Sequence, residues 1–166
     1  MNGRAIWLTG LPGSGKTSIA RIVKEKQEGI VILGMDEMRR IVTPKPTYSN
    51  EEREISYRSL VYTAKNIIQL GHDVIIDATG HKRSWRDLAR ENIKDFYEVY
   101  LRCPLEVCMD REKLRLNKSA PKDIYKKAKK GEPVPTDKLS IEKSVSEILR
   151  VLGWSNYAEK CKSNII

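Results

Sequence analysis

Long apolar runs are absent from this chain of 166 residues, and cysteine, histidine and phenylalanine are scarce. A helix that crosses a bilayer takes about 20 consecutive apolar residues, so we expect no membrane span and no membrane partner. The N-terminus also lacks the small-residue cleavage site of a secretory signal. The three cysteines, Cys103, Cys108 and Cys161, are odd in number and form no C-x-x-C pair. This usage argues against a disulfide framework or a zinc site and is typical of reduced thiols in a cytoplasmic protein.

Aromatic side chains are few, whereas the formal net charge is +9. Such a charge favours anionic partners. Much of the excess lies between Lys113 and Lys130, where eight basic residues occur with one acid, Asp123. A nucleic-acid-binding groove is expected to interleave aromatic with basic residues, but this chain has one phenylalanine. A nucleic-acid 5′-hydroxyl kinase or a nucleic-acid-binding ATPase is therefore the less favoured hypothesis, and we expect no nucleic-acid partner.

Short apolar strands alternate with helical patterns along the chain. The patterns predict strands at residues 5–9, 30–33, 73–77 and 97–101, and helices at residues 17–26, 51–70, 85–93, 105–116 and 141–152. Ser49 and Asn50 are candidate caps for the helix at residues 51–70, and Gly71 is expected to end it. Near-continuous apolar strands between helices favour a parallel sheet that is covered on both faces. Residues 118–136 contain three prolines and a glycine and are the least regular region, which makes residues 113–136 the candidate for a mobile lid.

A glycine-rich phosphate-binding motif follows the first predicted strand. The pattern G-x-x-x-x-G-K-[ST] lies between a strand and a helix, as its mechanism requires, and is formed by Gly10, Leu11, Pro12, Gly13, Ser14, Gly15, Lys16 and Thr17. Backbone N–H groups and the helix N-terminus would bind the phosphates, Lys16 would reach the β- and γ-phosphates, and the Thr17 hydroxyl would bind Mg²⁺. The motif predicts ATP and Mg²⁺ as cofactors. It also predicts an α/β, three-layer P-loop NTPase fold with a mostly parallel central sheet, in a single domain over residues 1–166.

Further motifs lie at residues 6–11, 34–39, 48–53, 98–108 and 123–128, which read IWLTGL, GMDEMR, YSNEER, EVYLRCPLEVC and DIYKKA. Together they resemble the adenylylsulfate (APS) kinases, which phosphorylate the 3′-hydroxyl of adenylyl sulfate with MgATP. The resemblance implies a small, nucleotide-linked acceptor and a kinase that uses an alcohol group. Relatives of this kind often form dimers, so a homodimer is a further expectation.

The resemblance also implies roles for residues on the acceptor side. Asp36 follows a buried strand and would accept the hydroxyl proton or orient Mg²⁺, and its alternative role is to cap a helix that begins at Glu37. Arg39 and Arg53 would clamp an acidic acceptor in bidentate geometry. Tyr48 matches an aromatic residue that stacks on the base, and its alternative role is ordinary packing.

Several further residues carry weaker expectations. One of Lys126 and Lys127, on the predicted lid, would neutralise charge on the transferring phosphoryl group; we assign Lys126 to catalysis and Lys127 to the acceptor. Arg111 would serve the donor phosphates or the adenine. His81 follows a strand end, but a solitary exposed histidine is the simpler interpretation. The tryptophans Trp7, Trp85 and Trp154 are expected in the core or at the surface, away from ligands.

The chain departs from the family pattern mainly on the acceptor side. Gly34 replaces an aspartate, Ser56 replaces an asparagine, and residues 79–81 (Thr-Gly-His) replace Ile-Ser-Pro. In the family, an aromatic residue that would enclose an adenine against the counterpart of Tyr48 follows shortly after the position of Gly131, but residues 133–141 (PVPTDKLSI) contain no aromatic residue. We expect Ser56 and Thr79 to contact the acceptor, which is adenylyl sulfate or a related anion; cytidine diphosphoramidate, the substrate of similar kinases in capsule synthesis, is the alternative.

Overall fold

The computed structural model describes residues 3–114, 132–135, 141–151 and 153. Its strands are β1 (Ala5–Thr9), β2 (Val31–Gly34), β3 (Val74–Asp77), β4 (Phe96–Arg102) and β5 (Glu132–Pro135). Its helices are α1 (Lys16–Lys26), α2 (Met35–Val42), α3 (Asn50–Gln69), α4 (Arg83–Asn92), α5 (Leu105–Lys113) and α6 (Ile141–Val151). None of the described helices is both long and apolar enough to cross a membrane.

The strands form one parallel sheet in the order β2-β3-β1-β4-β5. Side chains of a strand alternate between the two faces of a sheet. In β1, Ala5 and Trp7 therefore pack on one face with residues of α3 and α4, while Ile6 and Leu8 pack on the other with residues of α1 and α6. The three-layer α/β prediction is confirmed.

Local signals set most helix ends. Ser49 caps α3 because its hydroxyl accepts a hydrogen bond from the backbone N–H of Glu52, at 3.1 Å. Gly71, in the left-handed conformation with φ of 91°, follows the last turn of the same helix, which is the usual position of a terminating glycine. Both residues are predicted in these roles by the sequence pattern.

The sequence pattern is wrong at two places. Glu132–Pro135 lies in the segment predicted to be irregular, yet it pairs in parallel with β4 as the outer strand of the sheet. Proline is tolerated at such an edge, where one row of N–H groups needs no partner strand. Pro133 and Pro135 are therefore compatible with this strand, although they were the reason for predicting an irregular segment. Helix α2 begins at Met35, with Gly34 as its N-cap, and not at Glu37.

Candidate active site

A cavity of about 1110 Å³ opens at the carboxyl edge of the sheet. This is the edge at which parallel α/β sheets bind their ligands. The phosphate-binding loop and α1 line one side, and α2, the α2–α3 connection and α3 line the other. Residues predicted to bind the donor and residues predicted to bind the acceptor therefore meet in one space: Pro12, Gly13, Lys16, Thr17, Asp36, Arg39, Tyr48, Arg53 and Thr79.

The loop between β1 and α1 is held in a conformation that requires glycine. Gly13 has φ of 82°, and a Cβ atom there would lie 2.4 Å from the carbonyl oxygen of Cys108 in α5. Gly15, with φ of 96°, caps α1 directly. A left-handed φ strains most side chains, so both positions depend on glycine. The first turn of α1, with Lys16 and Thr17, lines the cavity, and the backbone N–H groups at a helix N-terminus form an anion site.

Lys16 is the first residue of α1, and its side chain lies inside this loop. Its ammonium group donates to the carbonyl oxygens of Gly10, at 3.0 Å, and Leu11, at 2.9 Å. The residue is 8% exposed and lines the cavity. A buried ammonium group needs such partners, and these bonds place its charge where the terminal phosphates of a bound nucleotide would lie.

Thr17 meets an acidic residue that the sequence pattern did not single out. Its hydroxyl donates to the carboxylate of Asp77, at the end of β3, across 2.6 Å. Strands β1 and β3 are neighbours and pair in register, Leu8 with Asp77, so the sheet itself brings the carboxylate to the loop. Both side chains line the cavity. The sequence does show an aspartate at the end of an apolar strand. Its position beside Thr17 depends on the order of the strands in the sheet, which the sequence pattern does not give.

The oxygens of Thr17 and Asp77 fit Mg²⁺. This ion takes one or two carboxylate or hydroxyl ligands from protein and completes its octahedron with phosphate oxygens and water. The described residues contain no cluster of three or more acidic, histidine or cysteine side chains that would hold a metal by protein ligands alone. The donor set therefore suits a metal that arrives with a nucleotide.

Asp36 is the second residue of α2 and is exposed at the cavity. Its side chain makes no capping hydrogen bond, because Gly34 occupies the N-cap position. The alternative role of Asp36 as the helix cap is thus wrong. What remains is an accessible carboxylate in the cavity, near the positive end of a helix.

The acceptor side is built around Arg39, Tyr48 and Arg53. The guanidinium carbon of Arg39 lies 4.8 Å from the centre of the Tyr48 ring, a cation–π contact. Tyr48 is the only non-glycine residue with positive φ, 57°, in the described part of the chain. All three side chains line the cavity. The structure therefore pairs an aromatic face with two guanidinium groups.

The wall opposite is the loop after β3, and buried side chains fix its backbone. Trp7 donates to the carbonyl of Ala78 at 2.9 Å, and Thr9 donates to that of Thr79 at 2.6 Å. The Tyr57 hydroxyl accepts from the N–H of Gly80 at 2.9 Å. Thr79, predicted to contact the acceptor, lines the cavity here.

Tyr57 is the centre of an aromatic stack beneath this wall. Its ring lies 3.8 Å from that of Trp85 and 6.0 Å from that of Trp7, nearly parallel to both. Burial raises the pKa of Tyr57 to about 12, against the opposing effects of the Gly80 hydrogen bond and the charges of Arg39 and Arg53. The hydroxyl therefore stays neutral. Trp7 and Trp85 belong to the core, as predicted, and Trp154 lies outside the described residues.

His81 is not the exposed residue that the sequence suggested. It is half-buried, packs edge-on against Trp85 with ring centres 4.9 Å apart, and lines the cavity. Its position follows from the stack below it, because Trp85 is fixed by Tyr57 and by a hydrogen bond to Glu54 at 2.6 Å.

Outside the phosphate-binding loop, two predicted residues within the described part of the chain do not line the cavity. Ser56 is fully buried, and its hydroxyl donates to the carbonyl of Glu52 in its own helix, at 2.9 Å. Arg111 lies behind the loop, 3.4 Å from the carbonyl of Gly13 and 3.6 Å from the sulfur of Cys103. Lys126 and Lys127, and most of the predicted lid, lie outside the described residues.

Sequence and structure comparisons identify the relatives of this chain. The family model for adenylylsulphate kinase matches residues 2–135. A probable adenylyl-sulfate kinase of Archaeoglobus fulgidus is 38% identical over 131 residues, which cover 76% of this chain and 79% of the relative. The adenylyl-sulfate kinase of Halothermothrix orenii is 32% identical over 178 residues, covering 93% and 92%.

A solved structure agrees with these matches. The APS kinase CysC of Mycobacterium tuberculosis in complex with AMPPNP and APS superposes with a TM-score of 0.72 at 27% identity, covering 92% of this chain and 98% of that one. By sequence and by fold, this chain is a member of the adenylylsulphate kinase family and an ATP-dependent kinase that uses Mg²⁺.

Proposed function

We propose that this kinase transfers the γ-phosphoryl group of ATP to the 3′-hydroxyl of adenylyl sulfate. The observation that carries the proposal is the shared cavity. Lys16 and Thr17 of the phosphate-binding loop line the same space as Arg39, Tyr48 and Arg53. A phosphoryl transfer needs donor and acceptor in contact and in line, and one continuous cavity meets that need.

On the donor side, the backbone N–H groups of residues 13 and 15–17 bind the β- and γ-phosphates, and Arg111 supports the loop from behind. The Lys16 ammonium neutralises the charge that develops on the bond between the β- and γ-phosphates. Thr17 and Asp77 hold Mg²⁺, which when bound shields the phosphate charges and orients the γ-phosphoryl group.

On the acceptor side, Tyr48 stacks on the adenine, and Arg39 and Arg53 bind the sulfate and phosphate oxygens. Thr79 contacts the nucleoside from the opposite wall. The 3′-oxygen attacks the γ-phosphorus, its proton passes to the Asp36 carboxylate, and the bond from γ-phosphorus to the bridging oxygen breaks to release ADP. Lys126 neutralises charge on the transferring phosphoryl group, and Lys127 binds the acceptor anion, as the sequence motif suggests.

A second acceptor, cytidine diphosphoramidate, is favoured by one specific observation. The wall that would face the nucleobase is Thr79, Gly80 and His81 in place of Ile-Ser-Pro, and His81 lines the cavity with a polar ring. A polar wall opposite a single stacking ring suits a smaller base with more exposed polar groups. Such a wall favours a pyrimidine base.

The test is an acceptor panel with MgATP: adenylyl sulfate, cytidine diphosphoramidate, mononucleotides and 5′-hydroxyl oligonucleotides. Release of ADP and formation of a 3′-phosphorylated product are measured for each. We expect the largest kcat/KM for adenylyl sulfate. A larger value for cytidine diphosphoramidate would select the second acceptor, and ADP release that depends on none of the panel would refute the proposal.

We further propose that two copies of the chain associate in the cytoplasm. Ile55 and Tyr62, seven residues apart on the same face of α3, are 56% and 69% exposed, and Ile41 on neighbouring α2 is 77% exposed. Isolated apolar residues are common on surfaces, but a group of them suits a partner. Light scattering should give a dimer mass, and Tyr62→Glu should reduce it. Cys103 and Cys108 are free thiols, as a reducing compartment would maintain.

A further inference from the structure

Glu52, in the first turn of α3, lies directly behind the acceptor side of the cavity without lining it. It is the third residue of the helix and is 9% exposed. Its backbone N–H binds the capping Ser49 hydroxyl, so the start of the helix fixes where its side chain begins. In the usual capping box, a glutamate at this position would bond back to the N–H of the cap residue. Here the carboxylate reaches further, into the α2–α3 connection.

One carboxylate oxygen of Glu52 collects three donors from that connection. It accepts from the hydroxyl of Thr47 at 2.7 Å, from the N–H of Tyr48 at 2.9 Å, and from the N–H of Thr47. Tyr48 has the left-handed backbone that most residues avoid. A carboxylate that binds two successive N–H groups holds the chain in this turn and thereby sets the direction of the Tyr48 ring.

The other carboxylate oxygen faces Arg39. It lies 4.0 Å from the guanidinium Nε, and neither atom has a hydrogen-bond partner within the described residues. Arg39 in turn packs on the Tyr48 ring, at 4.8 Å. The Arg39 side chain is 15% exposed, and a charge so poorly solvated depends on its counter-charge. Glu52 thus touches both members of the ring–guanidinium pair.

We propose that Glu52 is a positioning residue that holds Tyr48 and Arg39 in the geometry that binds the acceptor. The inference rests on the proposed function, because it assigns Tyr48 and Arg39 to the acceptor. Glu52 does not contact the acceptor itself. Its carboxylate interacts with the N–H and hydroxyl groups of Thr47, the N–H of Tyr48 and the guanidinium group of Arg39. The anionic acceptor consequently meets a guanidinium group and an aromatic face, and the carboxylate behind them is screened.

The experiment compares Glu52→Gln with Glu51→Gln. Glutamine keeps the size of Glu52 but removes its charge and one acceptor oxygen. Glu51 is the preceding residue and is exposed, so its substitution makes the same charge change in the same helical turn. We expect Glu52→Gln to raise KM for adenylyl sulfate about tenfold, with kcat and KM for ATP within about twofold of wild type, because ground-state acceptor binding is what is lost.

Amide hydrogen exchange provides a readout that needs no acceptor. The N–H groups of Thr47 and Tyr48 should exchange at least about tenfold faster in Glu52→Gln, because their acceptor is weakened, and should not change in Glu51→Gln. Thr47→Val, at an exposed residue, removes the bonds of the hydroxyl to the Glu52 carboxylate and to the N–H of Ser49 but keeps both N–H bonds to Glu52, and it should raise the acceptor KM by a smaller factor. It serves as the folded alternative if Glu52→Gln is unstable.

Combining substitutions distinguishes a positioning role of Glu52 from a general loss of structure. In an Arg39→Ala, Tyr48→Ala background, Glu52→Gln should change the acceptor kcat/KM by less than about twofold, because contacting residues are not additive. Unchanged exchange at Thr47 and Tyr48 would overturn the proposal, as would an unchanged acceptor KM or a full additional loss in that background. If the wild-type protein is inactive on adenylyl sulfate, the proposed function is overturned instead. The comparison of amide exchange at Thr47 and Tyr48 still tests the role of Glu52 in that case. The kinetic comparison is then made with the acceptor of the panel that the wild type phosphorylates.

Discussion

Replacing Tyr57 with phenylalanine tests how the wall of the cavity is held. Tyr57 is 4% exposed, and its hydroxyl accepts a hydrogen bond from the N–H of Gly80. Phenylalanine keeps the ring, and with it the stacking on Trp7 and Trp85. The substitution therefore removes one oxygen atom and leaves one buried N–H group without its partner.

The cost follows from that single loss. An unsatisfied buried N–H group costs about 1–3 kcal/mol, and we expect the free energy of unfolding to fall by about 2 kcal/mol. For a chain of this length, 1 kcal/mol corresponds to about 2–4 °C in the melting temperature, so the melting temperature should fall by about 6 °C. Because Gly80 follows Thr79 in the wall, we also expect KM for the acceptor to rise while KM for ATP stays constant.

The assay is thermal and urea unfolding followed by circular dichroism, with steady-state kinetics on the folded protein. Tyr97→Phe is the matched control, since Tyr97 is 41% exposed and lies outside the surface proposed to join two copies; its effect should stay within about 0.5 kcal/mol. If the Tyr57 and Tyr97 variants were equally stable, the Tyr57–Gly80 hydrogen bond would contribute nothing and the argument for a fixed wall would be refuted.

The same residue makes stability depend on alkaline pH. Burial raises the pKa of Tyr57 to about 12 from an ordinary value of 10.0. The neutral hydroxyl is favoured in the folded protein, so its contribution is fully present below pH 10 and is lost as the pH rises toward about 12. The difference corresponds to about 3 kcal/mol. Unfolding measured from pH 9 to 12 should show this loss in the wild type, and Tyr57→Phe should lack it.

Three further substitutions test the reacting groups. Lys16→Ala should lower kcat by at least about a thousandfold. Lys26→Ala, at the exposed end of the same helix, is the control and should leave kcat unchanged. If Lys16→Ala turned over near the wild-type rate, residues 10–17 would not be the phosphate-binding loop. Asp36→Asn should lower kcat at least about a hundredfold with a melting temperature within about 2 °C of wild type, since Asp36 is exposed and caps nothing; equal losses in rate and stability would contradict its assignment as the base. Asp77→Asn should raise the Mg²⁺ concentration for half-maximal rate about tenfold without changing KM for the acceptor, as titration at saturating ATP will measure, and an unchanged Mg²⁺ requirement would remove Asp77 from the metal site.

The sequence pattern located the elements that depend on local chemistry. The glycine-rich loop, the cap at Ser49 and the stop at Gly71 each follow from what a residue does to its own backbone, and the structure has them where the pattern predicts. The strands β1, β2 and β3 were likewise identifiable because the strands of a sheet that is covered on both faces are almost wholly apolar. Strand β5 was not, since its prolines are compatible with a strand only at the edge of a sheet, and edge position is not a local property.

The sequence by itself therefore determined that this chain binds a nucleotide in a parallel α/β fold of the adenylylsulphate kinase type. The tertiary structure decided which residues share the cavity. Asp77 meets Thr17 because β3 lies beside β1, and Ser56 turns inward because its position on α3 faces the core. Glu52 reaches Tyr48 and Arg39 because two helices and their connection converge. Contacts between residues distant in sequence depend on strand order and helix packing, and a linear pattern does not contain either.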